Sequence, residues 1–198
     1  MKIVDANVLL YAVNTTSEHH KPSLRWLDGA LSGADRVGFA WVPLLAFVRL
    51  ATKVGLFPRP LPREAAITQV ADWLAAPSAV LVNPTVRHAD ILARMLTYVG
   101  TGANLVNDAH LAALAVEHRA SIVSYDSDFG RFEGVRWGSA ARAVVMVRQG
   151  VIGGSQELGQ RPSAGAESGV GQLVEQCRRW GCRRAGDIDV GLPGVIAV

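Results

Sequence analysis

Lys2-Ile3-Val4-Asp5-Ala6-Asn7-Val8-Leu9-Leu10-Tyr11-Ala12-Val13 opens the chain and decides how the rest is read. A short apolar run ends on a carboxylate, and a second apolar run follows with no turn residues between them. A buried strand passing directly into a helix is the natural reading, with Asp5 at the junction. The same alternation continues outward. Lys21 to Leu31 reads as a helix, with Leu24, Leu27, Asp28 and Leu31 on one side, Pro22 near its start and Gly33 after its end. Arg36 to Val42 reads as a second strand, and Pro43 as the opening of a helix whose apolar face is Leu44, Phe47, Val48, Ala51 and Val54. Glu64 to Ala76 is helical through Ile67, Val70, Ala71 and Leu74, and Ala79 to Val82 is a short strand. His88 to Val99 and Asn104 to Arg119 are two further helices, and Ser121 to Tyr125 is a strand closed by a turn at Asp126. Short apolar strands alternating with helices predict an α/β sandwich on a mostly parallel sheet.

In a parallel sheet the carboxyl ends of the strands share one edge, where functional residues gather. Asp5 ends the first strand, and Asp126 and Asp128 follow the last. Asp108 joins them from its helix, on the face of Leu105, Ala112 and Ala115, where an ionised carboxylate is costly unless capped, paired or bound to metal. Each acid also has an ordinary alternative. Asp108 complements the positive end of its helix, with Asn104 or Asn107 as cap; Asp126 and Asp128 form turns; Asp5 caps a strand end. Taken together, acids from distant segments on one edge, with no basic partner beside them in sequence, match the needs of a hard divalent cation. Asp90 is set apart because Arg87 and Arg94 lie within helical reach of it. The five histidines form no H-E-x-x-H motif, and neither G-x-G-x-x-G after a strand nor a P-loop occurs, which argues against a nucleotide-cofactor enzyme.

Composition bounds the remainder. The 198 residues are 49% apolar and 19% charged, which describes a globular chain. No apolar run approaches the roughly 18 residues of a bilayer span, and the N-terminus lacks the cationic segment of a leader, so no membrane association and a cytoplasmic location are expected. The 20 basic residues against 17 acids permit a nucleic-acid partner without requiring one. Residues 148–198 carry 11 of the 20 glycines and both cysteines, Cys177 and Cys182. A lone C-x4-C pair is a poor zinc site. This segment is expected to be a weakly ordered extension of the domain at 1–147, with at most a short helix near Leu173 to Arg179. Truncation after Val147 is expected to leave the function of the 1–147 domain intact, and an assay of the truncated chain tests this directly.

Ile3 to Tyr11, then Asn107-Asp108-Ala109-His110-Leu111-Ala112-Ala113-Leu114-Ala115, then Ser124-Tyr125-Asp126-Ser127-Asp128-Phe129 resemble, in order and spacing, the signature blocks of the PIN domain. More narrowly they resemble the VapC ribonuclease toxins of type II toxin–antitoxin modules. The resemblance covers residues 1 to about 140. It implies a three-layer α/β/α sandwich with an acidic pocket that binds magnesium, or manganese in its place, and hydrolyses phosphodiesters in structured RNA such as tRNA or rRNA. Asp5 and Asp108 map to the metal ligands, Asp126 to the residue that completes the shell, and Asp128 to a group orienting the attacking water. Asn7 matches the polar residue after the first aspartate, and Arg49 and Arg131 are candidate phosphate contacts. A VapB-like antitoxin and a homodimer are the implied partners. One departure stands out. Many PIN domains carry a glutamate in the helix after the second strand, whereas Pro43 to Arg49 holds no acid, with Phe47 nearest in position. That loss favours one bound ion over two before substrate arrives. It also leaves open a PIN-like module that binds RNA or protein without cleaving it. A metal-dependent phosphatase on another α/β fold is weakened because Asp5-Ala6-Asn7 lacks the second acid of D-x-D.

Overall fold

The computed structural model describes residues 1–99 and 105–142; the extension at 148–198, with its cysteine pair and the helix expected near Leu173, lies outside the described residues. The elements run β1 (Lys2–Val4), α1 (Ala6–Val13), α2 (His20–Leu31), β2 (Val37–Phe39), α3 (Trp41–Ala51), α4 (Arg63–Ala75), β3 (Ala79–Leu81), α5 (His88–Val99), α6 (Val106–Glu117), β4 (Ser121–Val123) and β5 (Arg136–Gly138), with a 3-10 turn at Ser127–Arg131 before β5. The five strands form one sheet in the order β3-β2-β1-β4-β5. Every neighbouring pair is parallel.

Alternation along the strands divides the core into two. Val4, Val37, Phe39 and Val123 point to the side covered by α1, α2, α3 and α4. Ile3 and Ile122 point to the opposite side, against α5, α6 and the turn carrying Phe129. Helices therefore cover both faces, which gives the three-layer α/β/α arrangement. Each strand is only three residues long, so its burial is completed by these helices rather than by a long ladder. On β2, between β1 and β3, the packing is close: a Cβ on Gly38 would meet Ile3 Cγ1 and Val82 Cγ2 at 2.9 Å each. No helix of the described residues is long and apolar enough to cross a membrane.

Three local readings change. Trp41 and Val42 belong to α3 rather than to β2, and Pro43 occupies the helix's third position. Pro is tolerated there because first-turn N–H groups have no partner within the helix. Val54 lies beyond the end of α3 and is 85% exposed, so it is no part of the core face; Ile67 of α4 and Leu24 of α2 are likewise exposed. Trp73 and Trp26 take those core positions, and Trp73 meets the buried Phe47 ring edge-on at a centroid distance of 4.8 Å. The strand β5 is absent from the sequence reading because Arg136-Trp137-Gly138 is an exposed edge with no apolar run to announce it.

The strand order places the site. From β1 the sheet grows through β2 and β3 to one edge, then returns beside β1 with β4. The order therefore reverses between β1 and β4, and the crevice outside their carboxyl ends is the usual ligand position of an open parallel sheet. Asp5 follows β1 there, and Ser124 and Asp126 follow β4.

Candidate active site

Asp5 is bonded on three sides. It is the N-cap of α1, in extended conformation, and its Oδ1 accepts from the Ala6 N–H at 2.6 Å. Its Oδ2 accepts from Asn7 Nδ2 at 2.7 Å and from Ser124 Oγ at 2.6 Å. Asn7 also donates to Ser124 Oγ at 2.8 Å, and its Oδ1 accepts from the Tyr125 N–H at 3.2 Å. Ser124 Oγ further accepts from the Asp126 N–H at 2.9 Å. The two strand ends are thus joined by a buried polar network in which Asn7 and Ser124 orient the first carboxylate. Ser124 is a residue the sequence reading passed over. A single serine in a strand-end block carries no signal until its neighbour across the sheet is known.

Asp126 turns the chain at the end of β4: its Oδ1 accepts from the Asp128 N–H at 2.8 Å and caps the 3-10 turn. Asp128 is buried, its Oδ1 lies 3.6 Å from Arg131, and its Oδ2 has no hydrogen-bond partner. Arg131 therefore sits against Asp128 and is not among the residues lining the pocket. Asp108 stands in the first turn of α6, so the capping alternative is part of the truth. Leu105 holds the cap position and offers no side-chain bond. Asn107, one of the two residues expected to cap, instead lines the pocket; Asn104 lies outside the described residues.

Asp5, Asp108 and Asp126 line one cleft of about 40 Å³ together with Asn107. Its other wall is α3, through Val42, Pro43, Ala46 and Leu50. Phe47 is fully buried in the core, so the α3 side chain facing the acids where an acid is missing is Ala46. None of the histidines lines this cleft. His88 bridges Glu117 Oε2 and His110 Nδ1, each at 2.8 Å, and so ties α5 to α6 elsewhere. Among the described residues, no three acidic, histidine or cysteine side chains are set tightly enough to cage a metal by themselves.

The carboxylates raise one another's proton affinity. Burial pushes the Asp108 carboxyl up to about 8, and the charges of Asp5, Asp126 and Asp128 add to that. Burial raises Asp5 to about 6, against the opposing bonds from Ser124 and Ala6. Asp126 is also raised, by burial and by Asp128. Removing the Ser124 hydroxyl therefore raises Asp5 further and leaves the Asp126 N–H short of an acceptor. Ser124→Ala is expected to cost about 1 kcal/mol of stability and to shift the pH dependence of the site to higher pH. Denaturant melts and a pH titration of the variant test both, and an unshifted titration would count against the network.

Residues 2–135 match the family model of the PIN domain. The chain belongs to the PIN-domain family. Among its relatives, Ribonuclease VapC33 of Mycobacterium tuberculosis is 38% identical over 137 residues, which cover 69% of this chain and 96% of that protein. Ribonuclease VapC31 of the same species is 36% identical over 136 residues, again 69% of this chain and 96% of the relative. VapBC2 of Rickettsia felis, solved bound to a DNA fragment from its promoter, matches the PIN fold with a TM-score of 0.52 at 14% identity, over 70% of this chain and 97% of that one. FitAB bound to a DNA fragment matches with a TM-score of 0.52 at 18% identity, over 71% and 96%. The PIN domain thus accounts for the described body of the chain, and the three acidic segments lie within the matched residues.

Proposed function

We propose that this protein is a divalent-cation-dependent ribonuclease of the VapC kind, acting as the toxin of a toxin–antitoxin pair. The observation that carries the reading is the convergence of Asp5, Asp108 and Asp126 on one cleft in a chain whose relatives are named ribonucleases. The residues suit a hard cation. Their donors are carboxylate oxygens, they raise one another's proton affinity, and Asp128 Oδ2 is buried without a partner. Three carboxylates too open to cage an ion leave room for water and phosphate oxygens, as magnesium requires and manganese accepts.

Asp5 and Asp108 would hold the ion and Asp126 would complete or water-bridge its shell. When bound, the ion lowers the pKa of a coordinated water and offsets charge on the phosphodiester. The chain's own groups do the rest. Ser124, Asn7 and the Ala6 N–H keep the Asp5 carboxylate in one orientation. Asp108 holds a proton near neutral pH and gives it up on loading. Asp128, held in the turn behind Asp126 and not itself lining the cleft, would orient the attacking water. The apolar α3 wall keeps bulk water from one side of the cleft.

Loading should therefore release protons. At pH 7 a group titrating near 8 is protonated and one near 6 is ionised, so about one proton leaves per ion bound. Calorimetry of Mn2+ binding in buffers of different ionisation enthalpy measures this, with affinity rising by roughly tenfold or more between pH 6 and 8. Affinity independent of pH would contradict the assignment. The activity itself is tested by incubating the protein with total RNA, with Mg2+ and then with EDTA. Cleavage unaffected by EDTA would remove the cation from the mechanism, and no cleavage under either condition would favour a PIN-like module that only binds. Structured RNA, tRNA or rRNA, is the substrate class taken from the resemblance, and sequencing of cleavage ends after induction identifies it. A VapB-like antitoxin and self-association are tested by co-purification with the product of the adjacent reading frame and by light scattering.

A further inference from the structure

Two asparagines stand next to the acids, and only one is committed. The Asn7 side chain is buried and its amide is used at both ends, by Asp5 and Ser124 on one side and the Tyr125 N–H on the other. Asn107 is exposed, lines the cleft, and forms no side-chain hydrogen bond among the described residues. It belongs to the first turn of α6, beside Asp108 and one turn before Leu111, and all three line the cleft. An amide with two N–H donors is thus left open beside the carboxylates.

Ionised carboxylates only accept hydrogen bonds, and the α3 wall and Leu111 offer no polar side-chain atom. Asn107 Nδ2 is therefore the one side-chain donor among the described lining residues that does not depend on protonation. A phosphodiester brings negative charge, spread over two non-bridging oxygens, into a cleft of three carboxylates. That charge grows as water attacks phosphorus. A bound cation offsets part of it, and an N–H donor held in place by the protein offsets more. The first turn of α6 also carries partial positive charge, and its cap residue Leu105 offers no side-chain bond to take it up.

Resting on the ribonuclease reading, we infer that Asn107 is a catalytic residue: its Nδ2 donates to a non-bridging oxygen of the scissile phosphodiester and stabilises the charge that builds there. In the reaction the water oxygen bonds to phosphorus and the bond to the leaving ribose oxygen breaks. The attacking water gives up one proton, the leaving oxygen takes up one, and Asn107 exchanges none.

The test starts from total RNA with Mg2+. Single-turnover cleavage of the species that the parent cleaves, followed over a range of protein concentrations, separates the maximal rate from half-saturation. Asn107→Ala is expected to lower the maximal rate by about 10- to 100-fold, with half-saturation moved by less than about threefold. Asn107→Asp separates donation from a helix-terminal role. An aspartate in the first turn favours the helix, yet it cannot donate and adds a carboxylate beside the phosphate, so this variant should cleave no faster than Asn107→Ala. Calorimetry of Mn2+ binding is independent of cleavage, and Asn107→Ala should match the parent there, since the amide meets the phosphate and not the cation. Both variants replace an exposed residue, so folding is not at issue. Cleavage at the parent's rate by either variant overturns the inference and leaves the ribonuclease reading standing. Loss of Mn2+ affinity in Asn107→Ala also overturns it, by making the amide oxygen a cation ligand. A parent protein that cleaves no RNA removes the ribonuclease reading itself, and the role of Asn107 with it.

Discussion

Asp5→Asn is expected to reduce RNA cleavage by about 100- to 1,000-fold while leaving the protein folded. The amide keeps one oxygen to cap α1 or to meet Ser124 and Asn7, but cannot serve both. If it caps Ala6, its NH2 group faces the donating Asn7 Nδ2, and Ser124 must turn its hydroxyl around. That mismatch costs about 1 kcal/mol and is offset by removing a carboxylate whose burial already disfavours its charge. The melting temperature should therefore move by only a few degrees as activity disappears. Cleavage at the parent's rate would remove Asp5 from the mechanism. Loss of the folded state would show that the network, rather than the charge, was what the position supplies.

Asp108→Asn is expected to do the opposite for stability: it raises the melting temperature of metal-free protein above pH 8 while abolishing cleavage. The carboxyl titrates near 8 in the folded chain against 3.8 as its ordinary value. Between those pH values the folded state binds more protons than the unfolded one, so stability falls as pH rises through that window. Below about pH 4 both states are protonated and the cost vanishes. Above pH 8 it is complete. Each tenfold in proton affinity is worth about 1.4 kcal/mol; the relief from one neutralised member of a mutually repelling cluster should be on the order of 2–3 kcal/mol. For a domain of this size that is about 5–10 °C. The expected signature is parent and variant melting together near pH 4 in EDTA and separating at pH 8.5. Saturating Mg2+ should then close the gap from the parent's side, because a ligand that binds only the folded state stabilises it. Equal melting points at pH 8.5 without metal would show that the four acids do not burden the fold.

That burden is how a site of this kind is built. Carboxylates gathered at one sheet edge are unfavourable as neighbours, and the raised proton affinities of Asp5, Asp108 and Asp126 show it. Asp5 caps α1 and Asp126 caps the 3-10 turn, but a neutral Asn or Ser caps as well without the repulsion, so a chain selected for stability alone would replace them. Their retention fits a function that relieves the repulsion by binding a cation.

Much of this was legible along the chain. The helix His88–Val99 lies where periodicity puts it, and β1 ends next to Asp5 as read, while β4 ends at Val123, two residues short of the strand read to Tyr125. Asp126 and Asp128 are turn formers as well as acids, and Asp5 is a cap as well as a pocket residue. The ordinary and functional alternatives are not exclusive, because a carboxylate that caps a helix is also held still. What misled was local pattern where the environment is decided elsewhere. Val54 and Ile67 are apolar and correctly spaced, yet exposed, and β5 is a strand with no apolar pattern because it lies at the edge.

The sequence by itself determined the alternation of strands and helices and the delivery of acids to strand ends, since side-chain periodicity is local and parallel strands share one carboxyl edge. It also determined that no acid lies between Pro43 and Arg49. Only the tertiary structure decided that Ala46 rather than Phe47 faces the acids, since helix rotation is set by packing, here Phe47 against Trp73. Only it joined Asp5 to Ser124 across 119 residues, and only it raised the proton affinities of Asp5 and Asp108. Hydrogen bonding, burial and charge repulsion act through space, and no spacing along the chain encodes them.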